Sequence, residues 1–256
     1  MRVDSIGLEL RRRRMFEAAD LGVRLVQAEA ASVWRTVWPV WVAMLALAAL
    51  SATVFWWAPT LVLWWLKPWF DRSILFVLAR AAFREETRFI DLLAAGRTVW
   101  WRDLLATLTF RRLSPWRAYV QPVLQLEGQR GAAKGARRRQ ILGPHRGAAG
   151  LVQGAFATAE FILVLGLGVL IAWLGVNPDE GRFVETLMRG IFDAEPDATA
   201  WVEIAYYGSA VLFLEPFFVG AGFAMYLNRR VELEAWDIEQ DFRVAFGASA
   251  PAAAPA

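Results

Sequence analysis

The chain has 256 residues, of which 57% are hydrophobic, including 14 Trp and 17 Phe, and its net charge is +3. This apolar content exceeds what one soluble domain of this length needs for its core, so lipid is expected to be part of the solvent. The lack of Cys excludes disulfides, thiolate metal sites and Cys nucleophiles, and the single His excludes a His-rich metal site. No nucleophile has a base nearby and no phosphate-binding Gly loop is present, so no catalytic residue, metal or cofactor is predicted, and an enzyme is not expected.

Residues 1–35 form an N-terminal segment in which charged and apolar residues alternate, with RRRR at positions 11–14. The segment lacks the uninterrupted apolar core and the small-residue cleavage site of a secretory signal. MFEAADLGVRLVQAEA, which starts at Met15, predicts an amphipathic cytoplasmic helix. This helix either lies on the membrane surface or leads into the first span.

A first transmembrane hairpin is predicted at residues 36–82. No charged residue lies between Arg35 and Lys67. As one helix this stretch would extend roughly 46 Å against a hydrocarbon core of about 30 Å, which is too long for one span and short for two. Ala-Pro-Thr at residues 58–60 supplies a helix break and restart. The sequence therefore predicts one span at Trp38–Trp57 and a second that contains Lys67.

Residues 83–149 form a basic cytoplasmic or interfacial segment with thirteen Lys and Arg against five Asp and Glu. Residues 177–203 are the opposite, with seven acidic and two basic side chains. Because Lys and Arg stay on the cytoplasmic side, the basic segment is placed inside and the acidic loop in the periplasm. Within the basic segment, residues 98–126 are apolar but interrupted by charges and Pro122. They form either interfacial amphipathic helices or the arms of a re-entrant hairpin.

A second transmembrane hairpin is predicted at residues 150–228, with the acidic loop between its spans. The spans, Leu151–Asn177 and Ile204–Asn228, contain one charged residue each, Glu160 and Glu215. Four spans with both termini in the cytoplasm satisfy the charge rule. The predicted fold is an all-α integral membrane protein of the bacterial inner membrane, with about four transmembrane helices and additional amphipathic interfacial helices.

Residues 229–246 mix apolar side chains with five acids and predict a C-terminal amphipathic cytoplasmic helix. This helix either folds back onto the basic segment or docks a cytoplasmic partner. The residues predicted for docking are Trp236, Asp237 and Glu239. Residues 247–256 are rich in Ala and Pro and predict a disordered tail.

Charged residues at mid-membrane depth form a predicted polar cluster. Its members are Glu215, Glu160, Arg72, Asp71 and Lys67. Glu215 and Glu160 lie about 16 Å and 14 Å along their spans, near the bilayer centre. Lys67 and Asp71, one turn apart, can neutralise each other, whereas Arg72 projects elsewhere and is expected to pair with Glu215 or Glu160. The pair either fixes helix packing, or a glutamate binds and releases a proton or cation during transport.

Small residues predict close helix contacts in both spans of the second hairpin. Gly208 and Gly222 flank Glu215 on one helical face, which lets another backbone approach. Gly150 and Gly154, four residues apart in the preceding span, predict a similar small-residue contact. Pro216 frees the carbonyl of the residue one turn earlier, at position 212, which either belongs to this packing face or coordinates a cation.

The Arg-rich run in the basic segment predicts contact with anionic lipid headgroups, and the alternative is a solvated face. The residues concerned are Arg130, Lys134, Arg137, Arg138 and Arg139. No aromatic stacking pattern accompanies them, so a nucleic-acid partner is not expected. His145 in the same segment is expected to be exposed.

Three stretches resemble uncharacterised multi-pass inner-membrane proteins of gammaproteobacteria. They are KPWFDR at 67–72, RAYVQPVLQLEGQRGAAKGARRR at 117–139 and FFVGAGFAMYLNRRVELEAWDIEQDFR at 217–243. The proline-containing arm before a Gly- and Arg-rich segment is also similar to YciC-like membrane proteins and to the membrane domain of some glycerophosphodiester phosphodiesterases. Members of the first family are encoded near MoxR-type ATPases and proteins with von Willebrand factor A-type domains. The resemblance implies a role in an envelope assembly system and no catalytic residue.

The expected function is therefore that of a non-enzymatic scaffold or accessory protein in an envelope-associated complex of the inner membrane. Its expected partners are membrane lipids and a cytoplasmic or membrane protein. The alternative is a small proton- or cation-coupled transporter or channel subunit that uses the midplane carboxylates.

Overall fold

The computed structural model describes residues 13–55, 57–109, 112–129, 131–175 and 196–234. Within these ranges the chain is all-helical and contains no strand. The α-helices are α1 (Met15–Ala28), α2 (Ala30–Ala52), α3 (Ala58–Ala81), α4 (Phe89–Ala94), α5 (Leu104–Leu108), α6 (Arg117–Gln125), α7 (Gly131–Leu142), α8 (Arg146–Gly175) and α9 (Pro196–Glu234). A π-helical turn, Arg97–Trp101, precedes α5, and a short 3-10 turn, Gly143–His145, joins α7 to α8.

Three of the described helical stretches are long and apolar enough to cross a membrane. They are Ala30–Ala52, Gly131–Ile171 and Trp201–Glu234. α3 has 24 residues, enough for about 36 Å, but it carries several charges. α3 begins at Ala58, at the predicted restart, because Pro59 occupies its first turn, where a missing N–H costs no helical hydrogen bond. α2 ends at Ala52 rather than at the predicted Trp57.

α9 is the central helix of the bundle. Its 39 residues extend about 58 Å, and α1, α2, α3, α6 and α8 all pack against it. The half of α9 that follows Glu215 is almost wholly buried. Glu215 on α9 is therefore surrounded by other helices.

α1 and α2 run antiparallel to α9. At one end the side chain of Asn228 bonds both the backbone N–H and the carbonyl of Arg13, each at 2.9 Å. Further along, the indole N–H of Trp41 donates to the Gly208 carbonyl at 2.8 Å. The N-terminal helix was predicted either to lie on the membrane surface or to lead into the first span. In the structure α1 leads into α2 with only Glu29 between them, and its buried face contacts α9.

Two short arms, residues 97–108 and Arg117–Gln125, form a hairpin against α3 and α9. At the open end, Nη2 of Arg102 donates to the Gly128 carbonyl at 3.0 Å. Near the bend, the guanidinium of Arg112 lies 3.7 Å from the centroid of the Trp64 ring on α3. The described residues of this region form a hairpin, and its depth in the membrane stays a prediction. We call these two segments the hairpin arms.

Candidate functional site

Charged side chains from four helices meet in a continuous series beside α9. The order of contacts is Glu160 of α8, Lys67 of α3, Glu215 of α9, Arg117 of α6 and Asp71 of α3. We call these five residues the ion-pair chain. It connects α8, α3, α9 and the second hairpin arm through charges alone.

Lys67 bridges the two membrane glutamates. Its Nζ lies 2.5 Å from Oε2 of Glu160 and 2.8 Å from Oε2 of Glu215. The hydroxyl of Tyr207 on α9 donates to the other Glu160 oxygen at 3.1 Å. Glu160 is therefore held by a cation from α3 and a hydroxyl from α9.

Arg117 occupies the other side of Glu215. Its Nη2 donates to Oε1 of Glu215 at 2.5 Å, and its Nε lies 3.1 Å from Oδ2 of Asp71. The guanidinium also lies 5.0 Å from the ring centroid of Phe218, within cation–π range. Both Glu215 oxygens thus face a cation, one from α3 and one from α6.

Local sequence explains this convergence. Lys67 and Asp71 are four residues apart on α3, so both project from the face that meets α6 and α9. Arg117 is the first residue of α6 and reaches Glu215 from the end of the hairpin arm. The side chains of Lys67, Asp71, Arg117 and Glu215 are at most 6% exposed, whereas Glu160 is 20% exposed. Buried charges persist when they are paired in this way.

The predicted pairing of Arg72 with a membrane glutamate is wrong in this structure. Nη1 of Arg72 donates to the Arg102 carbonyl at 2.6 Å and to the Thr107 hydroxyl at 3.1 Å, both in the first hairpin arm. Arg72 follows Asp71 by one residue and so projects about 100° away from it. The structure therefore brings together Glu215, Glu160, Asp71 and Lys67 of the predicted polar cluster and turns Arg72 toward the hairpin. Lys67 pairs with the two glutamates, and Asp71 with Arg117.

A cavity of about 100 Å³ borders the ion-pair chain, between α3, α8 and the hairpin bend. Lys67, Glu160 and Glu215 contribute to its wall, together with Arg112. Burial lowers the pKa of the Arg112 guanidinium to about 10, so this group stays cationic at neutral pH. With Arg112 included, three cations face the three carboxylates of the ion-pair chain.

The Leu212 carbonyl that Pro216 releases from the helix accepts a hydrogen bond from the indole N–H of Trp34, at 3.2 Å. This donor belongs to α2, which packs along α9. Of the two roles left open for the carbonyl, the geometry supports helix packing, because a protein donor takes the place of a cation.

The two predicted glycine pairs differ in the structure. A Cβ at Gly222 would lie 2.4 Å from Cβ of Ala118 on α6, and one at Gly208 would lie 2.6 Å from Leu45 on α2. Both therefore mark close contacts of α9. A Cβ at Gly150 would meet only Trp116, at 3.7 Å, and one at Gly154 would meet no described atom within 4 Å. The close contact predicted for that second pair is not formed by the described residues.

The basic segment makes internal ion pairs. Lys134 pairs with Asp103, and Arg137 pairs with both Glu127 and Glu234. These two predicted lipid contacts are therefore engaged within the protein. Arg138 lines a hollow described below and Arg139 is exposed, while Arg130 lies outside the described residues.

α9 continues to Glu234, past the predicted boundary at residue 228, and its end contacts α7. The rest of the predicted C-terminal helix lies outside the described residues, so its two alternatives stay predictions. Glu234 pairs with Arg137, and Glu232 lies 3.2 Å from the ring of His145, which is partly covered rather than exposed. The residues predicted to dock a partner, Trp236, Asp237 and Glu239, lie outside the described part of the chain.

Sequence reasoning missed two features of the site. The first is Arg117, although two membrane glutamates and Asp71 near a single lysine signalled a missing cation. The second is the contact between Gly22 of α1 and Gly220 of α9, where a Cβ on Gly22 would lie 2.1 Å from the Gly220 carbonyl oxygen. Gly220 lies in the same glycine-containing stretch as Gly222, whereas the lone Gly22 gave no signal of its own.

Comparison with known proteins adds no functional assignment. No family model, no curated protein and no solved structure matches the chain. Among the described residues, no group of three or more His, Asp or Glu side chains is arranged to hold a metal ion. Functional inference therefore rests on the geometry of the site.

Proposed function

We propose that the protein is a non-enzymatic scaffold or accessory protein of the bacterial inner membrane, belonging to an envelope-associated complex. In this proposal α2, α3, α8 and α9 span the membrane, with both termini in the cytoplasm. The hairpin arms enter the bundle from the cytoplasmic side. The resemblance to gammaproteobacterial inner-membrane proteins is part of the proposal.

The observation that carries the proposal is the ion-pair chain. Each of its five members contacts another member, and together they connect three proposed spans with a hairpin arm. Charges placed like this fix which helices pack together, because leaving any one unpaired in a low-dielectric interior is costly. A role in holding the bundle accounts for Lys67, Asp71, Arg117 and Glu215 without invoking a reaction.

Charge distribution supports the proposed orientation. The basic segment that contains the hairpin arms and α7 carries thirteen Lys and Arg, and such segments stay on the cytoplasmic side. α3 is included as a span because nearly all of its second half is buried between other helices and because its charges are paired. Its neighbours thus supply the partners that lipid cannot.

The proposed partner surface combines the exposed basic residues of α7 with the C-terminal segment 229–246. The test is affinity purification of the full-length protein from native membranes after mild cross-linking. Three proteins are compared: the wild type, the Trp236→Ala/Asp237→Asn/Glu239→Gln variant, and a control with Asp20→Asn and Glu86→Gln, which alters two exposed acids elsewhere.

The expected result is one protein recovered in constant ratio with the wild type and the control and lost from the triple variant. If the triple variant retains every partner, the proposed surface is wrong. If no protein is recovered in constant ratio with the wild type, the scaffold proposal fails.

The cavity beside Glu160 favours a second candidate, a proton- or cation-coupled transporter. Glu160 is the most exposed member of the ion-pair chain and lines this cavity, so it is the group best placed to exchange a proton with water. A proton flux in proteoliposomes that Glu160→Gln abolishes, without loss of folded protein, would favour transport over the scaffold.

A further inference from the structure

A second hollow lies between α3, the hairpin arms and α7, on the other side of Arg117 from Glu160. Its volume is about 40 Å³, and Arg72, Arg117 and Arg138 contribute to its wall. None of the described residues that line it is acidic. The hollow is therefore strongly basic, in contrast to the balanced charges of the larger cavity.

Arg117 lines both this hollow and the cavity beside Glu160, and one of its donors has no acceptor among the described residues. Its Nε and Nη2 face Asp71 and Glu215, whereas its Nη1 is buried and forms no hydrogen bond with the described residues. The residue as a whole is only 7% exposed. A buried guanidinium nitrogen without an acceptor is costly, so an external acceptor at this position would be stabilised.

Gln121 is a second buried residue that lines the hollow and has a donor without an acceptor among the described residues. It is 8% exposed and lines the hollow one turn after Arg117 on α6, and its Nε2 has no hydrogen-bond acceptor among the described residues. Arg138 adds a cation from α7, and no described carboxylate forms an ion pair with it. Donor-bearing side chains from α6 and α7 therefore line one small space, together with Gln125, whose Oε1 has no hydrogen-bond donor among the described residues.

We propose that this hollow binds a phosphate group, either free phosphate or the phosphate of an anionic phospholipid headgroup. A volume of about 40 Å³ holds about three water-sized atoms, which is enough for the terminal oxygens that a phosphate group directs into it. Guanidinium groups pair with phosphate oxygens through directional, charge-assisted hydrogen bonds. Pro68 and Val120 line the same hollow and give an apolar surface for the carbon atoms of a headgroup.

The experiment measures thermal unfolding of the full-length protein by Trp fluorescence in phosphatidylcholine nanodiscs. One arm titrates inorganic phosphate against sodium chloride of equal ionic strength. The other replaces part of the phosphatidylcholine by phosphatidylglycerol. Arg138→Gln removes a cation from the hollow, and Arg139→Gln is the matched control because it removes the adjacent, exposed cation of α7. Gln121→Glu places a carboxylate among the arginines.

Wild-type protein and Arg139→Gln are expected to be stabilised by the same probe, with binding about ten-fold weaker or more in Arg138→Gln and lost in Gln121→Glu. A response to inorganic phosphate assigns a free phosphate site, and a response only to phosphatidylglycerol assigns a headgroup site. If the wild type responds to neither probe, or if Arg138→Gln and Arg139→Gln respond equally, the proposal is wrong. Should Gln121→Glu fail to fold, the pair of arginine variants still decides.

Discussion

Glu215→Gln is the substitution with the largest predicted effect on the stability of the bundle. The amide keeps the size of the side chain but removes the anion that Lys67 and Arg117 share, at 2.8 Å and 2.5 Å. Both cations are almost fully buried, so water cannot replace the lost charge. The perturbation therefore tests the ion-pair chain without creating a cavity.

The expected magnitude follows from burial. Removing one partner of a fully buried ion pair costs about 3–5 kcal/mol, and Glu215 is the carboxylate of the ion-pair chain that pairs with two buried cations. For a chain of this length, each kcal/mol lowers the unfolding temperature by about 2–4 °C, which gives a decrease of about 6–20 °C. Glu160 is 20% exposed, and Lys67 keeps Glu215 as a partner when Glu160 is replaced, so Glu160→Gln should cost about 1 kcal/mol or less.

The assay is thermal unfolding of purified wild-type, Glu215→Gln and Glu160→Gln proteins in the same detergent, followed by Trp fluorescence. The yield of monodisperse protein serves as a second measure. If Glu215→Gln lowers the unfolding temperature no more than Glu160→Gln does, burial does not determine the strength of these contacts and the reasoning fails.

Two further predictions concern packing and topology. Gly22→Ala should destabilise the protein by about 1–3 kcal/mol, because its Cβ would meet the Gly220 backbone. Gly154→Ala is the control, and because its Cβ would meet no described atom within 4 Å, it should be neutral or stabilising by up to about 1 kcal/mol. Equal unfolding temperatures for the two variants would contradict the α1–α9 contact. Topology reporters should read periplasm, cytoplasm and periplasm at Thr60, Gly131 and Glu185, and a periplasmic signal at Gly131 would overturn the four-span arrangement.

The position of a residue along a predicted span can be counted from the sequence. Part of the ion-pair chain was therefore predictable. Counting residues from the start of each apolar stretch placed Glu160 and Glu215 at similar depth, and the spacing of Lys67 and Asp71 placed them on one face. The all-helical fold and the break at Pro59 follow from equally local rules.

The partners of these charges were not predictable by the same means. Arg117 belongs to a short helix whose insertion beside α9 depends on tertiary packing, and nothing in its local sequence specifies that position. The position of Arg72 along α3 places it near the depth of the two glutamates and so predicts a pair with one of them. The local sequence does not indicate the hairpin carbonyls that Arg72 contacts instead. The contact between Gly22 and Gly220 likewise involves two distant helices, so neither local pattern contains it.

The most direct test of the central claim, that buried charges hold this bundle together, is a double-mutant cycle on Arg117 and Glu215. Folded yield and unfolding temperature are measured for Arg117→Gln, Glu215→Gln and the double variant. The ion-pair chain predicts that the two losses are less than additive, because each single variant already breaks the contact between Arg117 and Glu215 that the second change would remove. Additive losses would contradict the claim.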